Sequence, residues 1–156
     1  MTKASIERFY IEMRTLAAQI NIPETFIPKC ERNGGHGWYV DMSKDGTEYV
    51  LSASEKGVPY DVFRSIDVAE FMEVVFVDMT ERLAHHEVLD RYPPMSAWRS
   101  LWSMFERPKN SIKQRREIQI LQESLLARLD PAWSERCAIK NAMGLRREID
   151  FYFGIQ

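Results

Sequence analysis

The fold of this chain is decided by residues 37–63, which read GWYVDMSKDGTEYVLSASEKGVPYDVF. Apolar and polar residues alternate through much of this stretch, as in β-strands that bury one face. Turn-forming residues at Asp45-Gly46 and Gly57 divide it into three segments. We therefore predict a three-stranded antiparallel meander, with Pro59 early in its strand or at a sheet edge because proline has no N–H to donate. In the middle segment, the alternation predicts one face made of Tyr49, Leu51 and Ala53 and an opposite face made of Glu48, Val50 and Ser52.

Helical periodicity flanks the predicted sheet on both sides. Apolar residues three and four positions apart predict a helix over about residues 2–20. Caps, prolines and apolar spacing then predict about four more helices, over residues 65–90, 96–105, 111–129 and 130–143. The first of these begins at a Ser65 or Asp67 cap, and the last begins at Asp130-Pro131 and ends before Gly144. This order predicts an α+β fold with helices packed on one sheet face.

Composition is that of an ordinary folded protein. The chain has 156 residues, of which 45% are hydrophobic and 28% are charged, so we predict one domain over residues 1–156. No apolar run is long enough to span a bilayer and the N-terminus lacks a signal-peptide pattern, so we expect a cytoplasmic protein without a membrane partner. Cys30 and Cys137 are predicted to be reduced, and no cofactor is predicted.

Charge is distributed unevenly along the sequence. Residues 41–90 carry 12 acidic and 4 basic side chains, whereas residues 91–156 carry 7 acidic and 12 basic ones. Such asymmetry can steer a charged partner toward the protein. The alternative is internal compensation, in which the two segments neutralise each other within the fold.

The predicted helix over residues 65–90 carries the candidate binding site. Its apolar stripe is expected to face the core, while carboxylates and two valines share the side away from that stripe. The predicted stripe consists of Val68, Met72, Val75, Phe76, Met79 and Leu83. This mixture favours a protein partner with a basic surface, because carboxylates speed the encounter and apolar groups add burial. The alternative is that a second layer of the fold covers the valines. The predicted partner-binding residues are Asp67, Glu70, Val74, Val77, Asp78 and Glu81.

Two other classes of function have weaker support. Glu81 and His85 lie four residues apart, and His86 is adjacent, which is the spacing of a metal or acid-base pair on a helix. Two ligands are too few for a metal site, and the sequence has no G-x-S-x-G, phosphate loop or H-E-x-x-H motif. We therefore predict no catalytic residue and no metal.

A basic segment over residues 109–116, with Lys109, Lys113, Arg115 and Arg116, is the candidate for nucleic-acid binding. The pI near 6.0 and the lack of interleaved aromatic residues argue against that function.

Several stretches of the sequence also resemble a known family. They lie between about residues 48 and 143 and comprise Glu48–Gly57, Arg64–Asp67, Glu70-Phe71, Val75–Thr80 and Leu129–Arg136. In these residues the chain resembles the immunity protein 63 family of bacterial polymorphic-toxin systems, which include contact-dependent growth inhibition.

The resemblance implies a cytoplasmic protein that is not an enzyme and whose partner is the C-terminal domain of a cognate toxin. It also implies neutralisation by covering the toxin's active site or substrate-binding surface. Because many toxins of such systems are nucleases with basic clefts, the acidic middle of the chain is expected to mimic a nucleic-acid substrate. The resemblance implies no nucleic acid as a direct partner, and the sequence leaves the oligomeric state open.

Overall fold

The helices and strands were located in a computed structural model, which describes residues 3–30, 37–56, 58–92 and 107–153. The predicted α+β architecture, with an N-terminal helix, a three-stranded antiparallel sheet and then further helices, is confirmed. The predicted helix over residues 96–105 lies outside the described residues. The elements are α1 (Lys3–Gln19), a 3-10 turn (Glu24–Phe26), β1 (Gly37–Met42), β2 (Tyr49–Glu55), β3 (Val58–Ser65), α2 (Val68–Asp90), α3 (Arg107–Ala127) and α4 (Pro131–Phe153).

The sheet has the order β1-β2-β3, and both neighbouring pairs are antiparallel. In the first connection the N–H of Gly46 donates to the carbonyl of Ser43 at 2.8 Å, and Gly46 has a φ of 69°, which a glycine adopts without strain. Pro59 is the second residue of β3, which lies at an edge of the sheet, as predicted. At the outer edge of β1, Tyr39 forms a parallel bridge with Lys29.

The chain forms two compact units, Met1–Met79 and Thr80–Gln156, and helix α2 runs through both. The core of the first unit contains an aromatic cluster that joins α1, the sheet and α2. The ring of Phe71 lies 5.3 Å from that of Phe9, 5.4 Å from that of Tyr49 and 6.2 Å from that of Phe63, measured between centroids. Helices α1 and α2 therefore pack on the sheet face that carries Tyr49 and Phe63.

Both faces of the central strand β2 are buried. Val50 is 3% exposed and Ser52 is fully buried, although both lie on the side predicted to be opposite Tyr49 and Leu51. In register, Ser52 lies between Tyr39 of β1 and Asp61 of β3, and its hydroxyl donates to Asp61 Oδ1 at 3.0 Å. A strand flanked on both sides is shielded by its neighbours' side chains, so a hydroxyl with a partner is tolerated there.

In the second unit, α3 and α4 pack against each other and bury Leu125, Leu126 and Cys137. The predicted start of α4 is confirmed, because Asp130 Oδ1 accepts the N–H of Ala132 at 2.8 Å and proline occupies the first helical position. The predicted end before Gly144 is wrong, since α4 continues to Phe153. Gly144 has no positive φ, and a glycine in ordinary helical geometry weakens a helix without ending it.

Cys30 and Cys137 are not joined in a disulfide, and Cys137 is buried. In the part of the chain that the structure describes, none of the helices has the length and apolar character required to cross a membrane.

Candidate functional site

Three side chains hold the first turn of α2 and include two of the predicted binding residues. Asp67 Oδ1 accepts the N–H of Ala69 at 2.8 Å and that of Glu70 at 3.5 Å, so Asp67 is the N-cap. The Ser65 hydroxyl accepts the N–H of Asp67 at 3.0 Å and donates to the Glu70 carboxylate. The arrangement is a variant of the capping box, in which the Ser65 hydroxyl connects the Glu70 carboxylate to the backbone N–H of Asp67. It fixes Asp67 and Glu70 in place while both remain exposed.

All six predicted binding residues lie on one side of α2. At 3.6 residues per turn they occupy a sector of about 100°, whereas buried Met72, Phe76 and Met79 lie on the opposite side. The first turn departs from the predicted stripe, because Val68 was expected to be buried and is 43% exposed. Within the sector, Asp67, Glu70 and Glu81 are exposed, while Val74, Val77 and Asp78 are half-buried. The sector is thus the accessible side of the helix, and its valines are partly covered.

Asp78 differs from the other carboxylates of this sector. Its Oδ2 atom is buried, and the residue takes part in interactions within the protein. The outward charges of the sector are therefore those of Asp67, Glu70 and Glu81. We refer to the six residues Asp67, Glu70, Val74, Val77, Asp78 and Glu81 as the α2 strip.

Other carboxylates of the acidic segment 41–90 have partners within residues 43–91. Arg64 pairs with Asp61 and, at 3.3 Å, with Glu48, and these contacts raise the pKa of the Arg64 guanidinium. Asp45 accepts hydrogen bonds from Ser43 and then Thr47, which lower its pKa to about 2. Near the end of α2, Glu87 pairs with Arg91 at 3.8 Å, and Asp90 Oδ2 lies 3.3 Å from His86 Nδ1. Part of the negative charge is therefore offset locally.

The second unit contains a polar groove of about 330 Å3, lined by residues that include Glu81, His85 and Asn141. Its wall is internally hydrogen-bonded, because the Asn141 amide donates to Gln122 Oε1 at 3.3 Å and to Glu123 Oε1 at 3.0 Å. These bonds join α3 to α4 and satisfy amide groups that are costly to bury alone.

The nearby Cys137 thiol does not have the properties of a nucleophile. Burial raises its pKa, and the negative charge of Glu123 raises it further. A cysteine nucleophile needs the opposite shift, which produces a thiolate at neutral pH. Cys137 is therefore a buried packing residue in α4.

The residues considered for other functions lie on two helices, with His85 and His86 on α2 and the basic segment 109–116 on α3. His85 lines the groove beside Glu81, whereas His86 pairs with Asp90, so the two histidines contact different groups. Among the described residues, no three His, Cys, Asp or Glu side chains are arranged to hold a metal ion. In the basic segment, Lys113 pairs with Glu117 at 3.9 Å and Arg115 lines the groove. The side chain of Lys109 lies outside the described residues.

One feature of the structure was missed by the sequence reasoning. Edge strand β3 exposes three apolar side chains, with Val58 at 67%, Tyr60 at 52% and Val62 at 44%. Ile66, between β3 and α2, is 75% exposed. Val58, Tyr60 and Val62 are two residues apart in the sequence, but this spacing alone does not show whether a helix covers them.

Comparison with known proteins identifies the family. A capped helix with carboxylates and valines on its accessible side is suited to contact with another protein. The family model of immunity protein 63 matches residues 45–142, which is more than half of the chain. The chain therefore belongs to the immunity protein 63 family, which confirms the resemblance seen in the sequence and implies an immunity protein directed against a toxin. No curated protein and no solved structure matches the chain.

Proposed function

We propose that this protein binds the C-terminal domain of a cognate polymorphic toxin and neutralises it by covering its active site or substrate-binding surface. The protein acts in the cytoplasm of the cell that makes it, as part of a contact-dependent inhibition system. The observation that carries the proposal is the family match over residues 45–142. The mechanism requires binding alone, so it needs no catalytic residue in this chain.

The α2 strip is the part of the proposed interface that supplies charge. Asp67, Glu70 and Glu81 are exposed, and Asp67 and Glu70 are fixed by the cap before any partner arrives. Negative charge on a preformed surface accelerates association with a basic partner and sets its orientation. The interface is therefore expected to meet a basic surface of the toxin.

A nuclease is the toxin class that best fits this charge. Nucleic-acid clefts are basic because they neutralise phosphates. Residues 41–90 carry 12 acidic and 4 basic side chains, so this part of the chain can occupy such a cleft as a substrate mimic. The proposal predicts that inhibition weakens as salt concentration rises.

The experiment is co-purification of the protein with the C-terminal domain encoded by the toxin reading frame expected immediately upstream of its gene. Co-expression should also protect cells that produce that toxin domain. Absence of both binding and protection would contradict the proposed function.

A pair of charge reversals tests the contribution of the strip. Glu70→Lys combined with Glu81→Lys should slow association, mainly at low salt. The matched control is Glu7→Lys with Glu12→Lys, which makes the same change in net charge at exposed α1 positions outside the family match. Equal association rates for the two double variants would show that the α2 strip is not part of the interface. Because Glu70 also accepts the Ser65 hydroxyl, Glu81→Lys alone is the cleaner electrostatic variant.

A further inference from the structure

Electrostatic contacts of the α2 strip do not account for tight inhibition by themselves. A nanomolar complex needs a binding free energy of about 12 kcal/mol. Exposed charge pairs contribute little to that total, and Val74 and Val77 are already half-buried in the free protein. A complex of that affinity therefore requires an apolar anchor in addition to the α2 strip.

Exposed apolar side chains are concentrated in one short segment of the first unit. Of the ten large hydrophobic residues that are exposed in the described part of the chain, five lie within residues 58–68. The other five are distributed over α1, α2, α3 and α4. We define the β3 strip by its four members Val58, Tyr60, Val62 and Ile66.

The register of the sheet places Val58 and Tyr60 away from the aromatic cluster of the first unit. Tyr60 lies opposite Ala53 and Val58 opposite Glu55, at the end of the sheet near the β2–β3 turn. The aromatic cluster with Phe71 lies toward the other end, where Phe63 and Tyr49 pack. Val62 is the extra residue of a bulge, because Phe63 pairs with Leu51 and Asp61 pairs with Ser52.

We propose that the β3 strip is the apolar anchor for the cognate toxin. This inference rests on the proposed function and names the part of the surface that supplies its burial. A tyrosine flanked by branched aliphatic side chains is typical of the residues that dominate binding energy at protein interfaces. On binding, Tyr60 enters a pocket of the toxin, and the neighbouring aliphatic residues exclude water around it.

The charges around the strip favour a basic partner over a second copy of this chain. Residues 48–70 contain five carboxylates and two basic side chains, and one of those two, Arg64, is paired with Glu48 and Asp61. A second copy brings the same excess of negative charge, whereas a basic toxin surface neutralises it. The occupant is therefore the toxin.

The backbone of β3 indicates how the toxin docks. Pro59 removes one N–H from the edge strand, and the bulge at Val62 interrupts its regular pairing. Both are features that prevent edge-to-edge pairing of strands. The toxin therefore contacts the side chains of the strip and does not extend the sheet.

The test measures binding of the full chain to the same C-terminal toxin domain by biolayer interferometry. Tyr60→Ala should weaken the affinity by about 30-fold or more, mostly through faster dissociation. Val58→Ser should weaken it by about 10-fold. The matched control is Ile11→Ser, because Ile11 on α1 has the same 67% exposure as Val58 and should leave affinity unchanged. Unchanged melting temperatures will show that the variants are folded.

The outcomes separate this inference from the function on which it rests. If the wild-type protein binds and protects while Tyr60→Ala and Val58→Ser bind equally well, the anchor assignment is wrong and the proposed function stands. If the wild-type protein does not bind, both fail. If light scattering shows a dimer that these variants dissociate without affecting toxin binding, the occupant is a second copy and the assignment to the toxin is overturned.

Discussion

The hydroxyl of Ser65 donates a hydrogen bond to the carboxylate of Glu70. The same hydroxyl accepts the backbone N–H of Asp67 at 3.0 Å, so one buried side chain of β3 fixes both the first turn of α2 and a proposed binding carboxylate. The end of the sheet and the start of the helix are therefore held together by hydrogen bonds. A surface ordered in this way loses less conformational freedom when a partner binds.

Replacement of Ser65 should destabilise the protein. Ser65→Ala leaves the Asp67 N–H and the Glu70 carboxylate without this hydroxyl, and we expect the free energy of unfolding to fall by about 1–2 kcal/mol. Urea denaturation followed by circular dichroism measures the change. The matched control is Ser124→Ala, because the exposed Ser124 hydroxyl only donates to a carbonyl of its own helix at 2.8 Å and should change stability little. Equal losses for the two variants would contradict the role of Ser65.

Asp45 should make stability depend on acid pH. Its pKa is lowered to about 2 by hydrogen bonds from Ser43 and then Thr47, against a usual value of 3.8. A carboxylate with a lowered folded-state pKa stabilises the protein above pH 4, and this contribution is lost as pH falls toward 2. The stability difference between wild type and Asp45→Asn should therefore shrink between pH 5 and pH 2.5 in urea titrations. A difference that stays constant over this range would show that the Asp45 charge is not responsible.

The sheet could be predicted from sequence because its turns are encoded locally. Asp45-Gly46 supplies a glycine where the chain adopts a positive φ, and Pro59 restricts its strand to an edge. The caps at Asp67 and Asp130 are equally local, since each side chain accepts an N–H two residues later.

What the sequence could not provide depends on contacts between distant residues. The burial of Val50 and Ser52 follows from strands on both sides of β2, which a two-residue period does not encode. The exposure of Val58 and Tyr60 follows from the position of the helices on the sheet. For the candidate site, periodicity identified the accessible side of α2, but it missed the β3 strip because an alternating strand looks the same whether or not a helix covers it.

Gly144 offers a site for stabilisation. It lies inside α4, has no positive φ, and a Cβ added there meets no atom within 4 Å. Gly144→Ala should raise the free energy of unfolding by up to about 1 kcal/mol, because alanine reduces the freedom of the unfolded chain and favours helix. Gly46→Ala is the opposing control, since Gly46 has a φ of 69° and alanine is strained there. Loss of stability in Gly144→Ala would contradict the helical geometry of this segment.

The two compact units should unfold together, as predicted for a single domain, because helix α2 belongs to both. Phe71 is fully buried among Phe9, Tyr49 and Phe63, so Phe71→Ala should cost about 3–5 kcal/mol. In native-state hydrogen exchange, the protection of β2 and that of the α3–α4 pair should fall together.

The milder variant Phe71→Leu can be used if the alanine variant does not fold. The control is Val68→Ala, at an exposed position of the same helix, which should change protection little. If only the β2 amides lose protection, the units unfold independently and the chain consists of two domains joined by a shared helix.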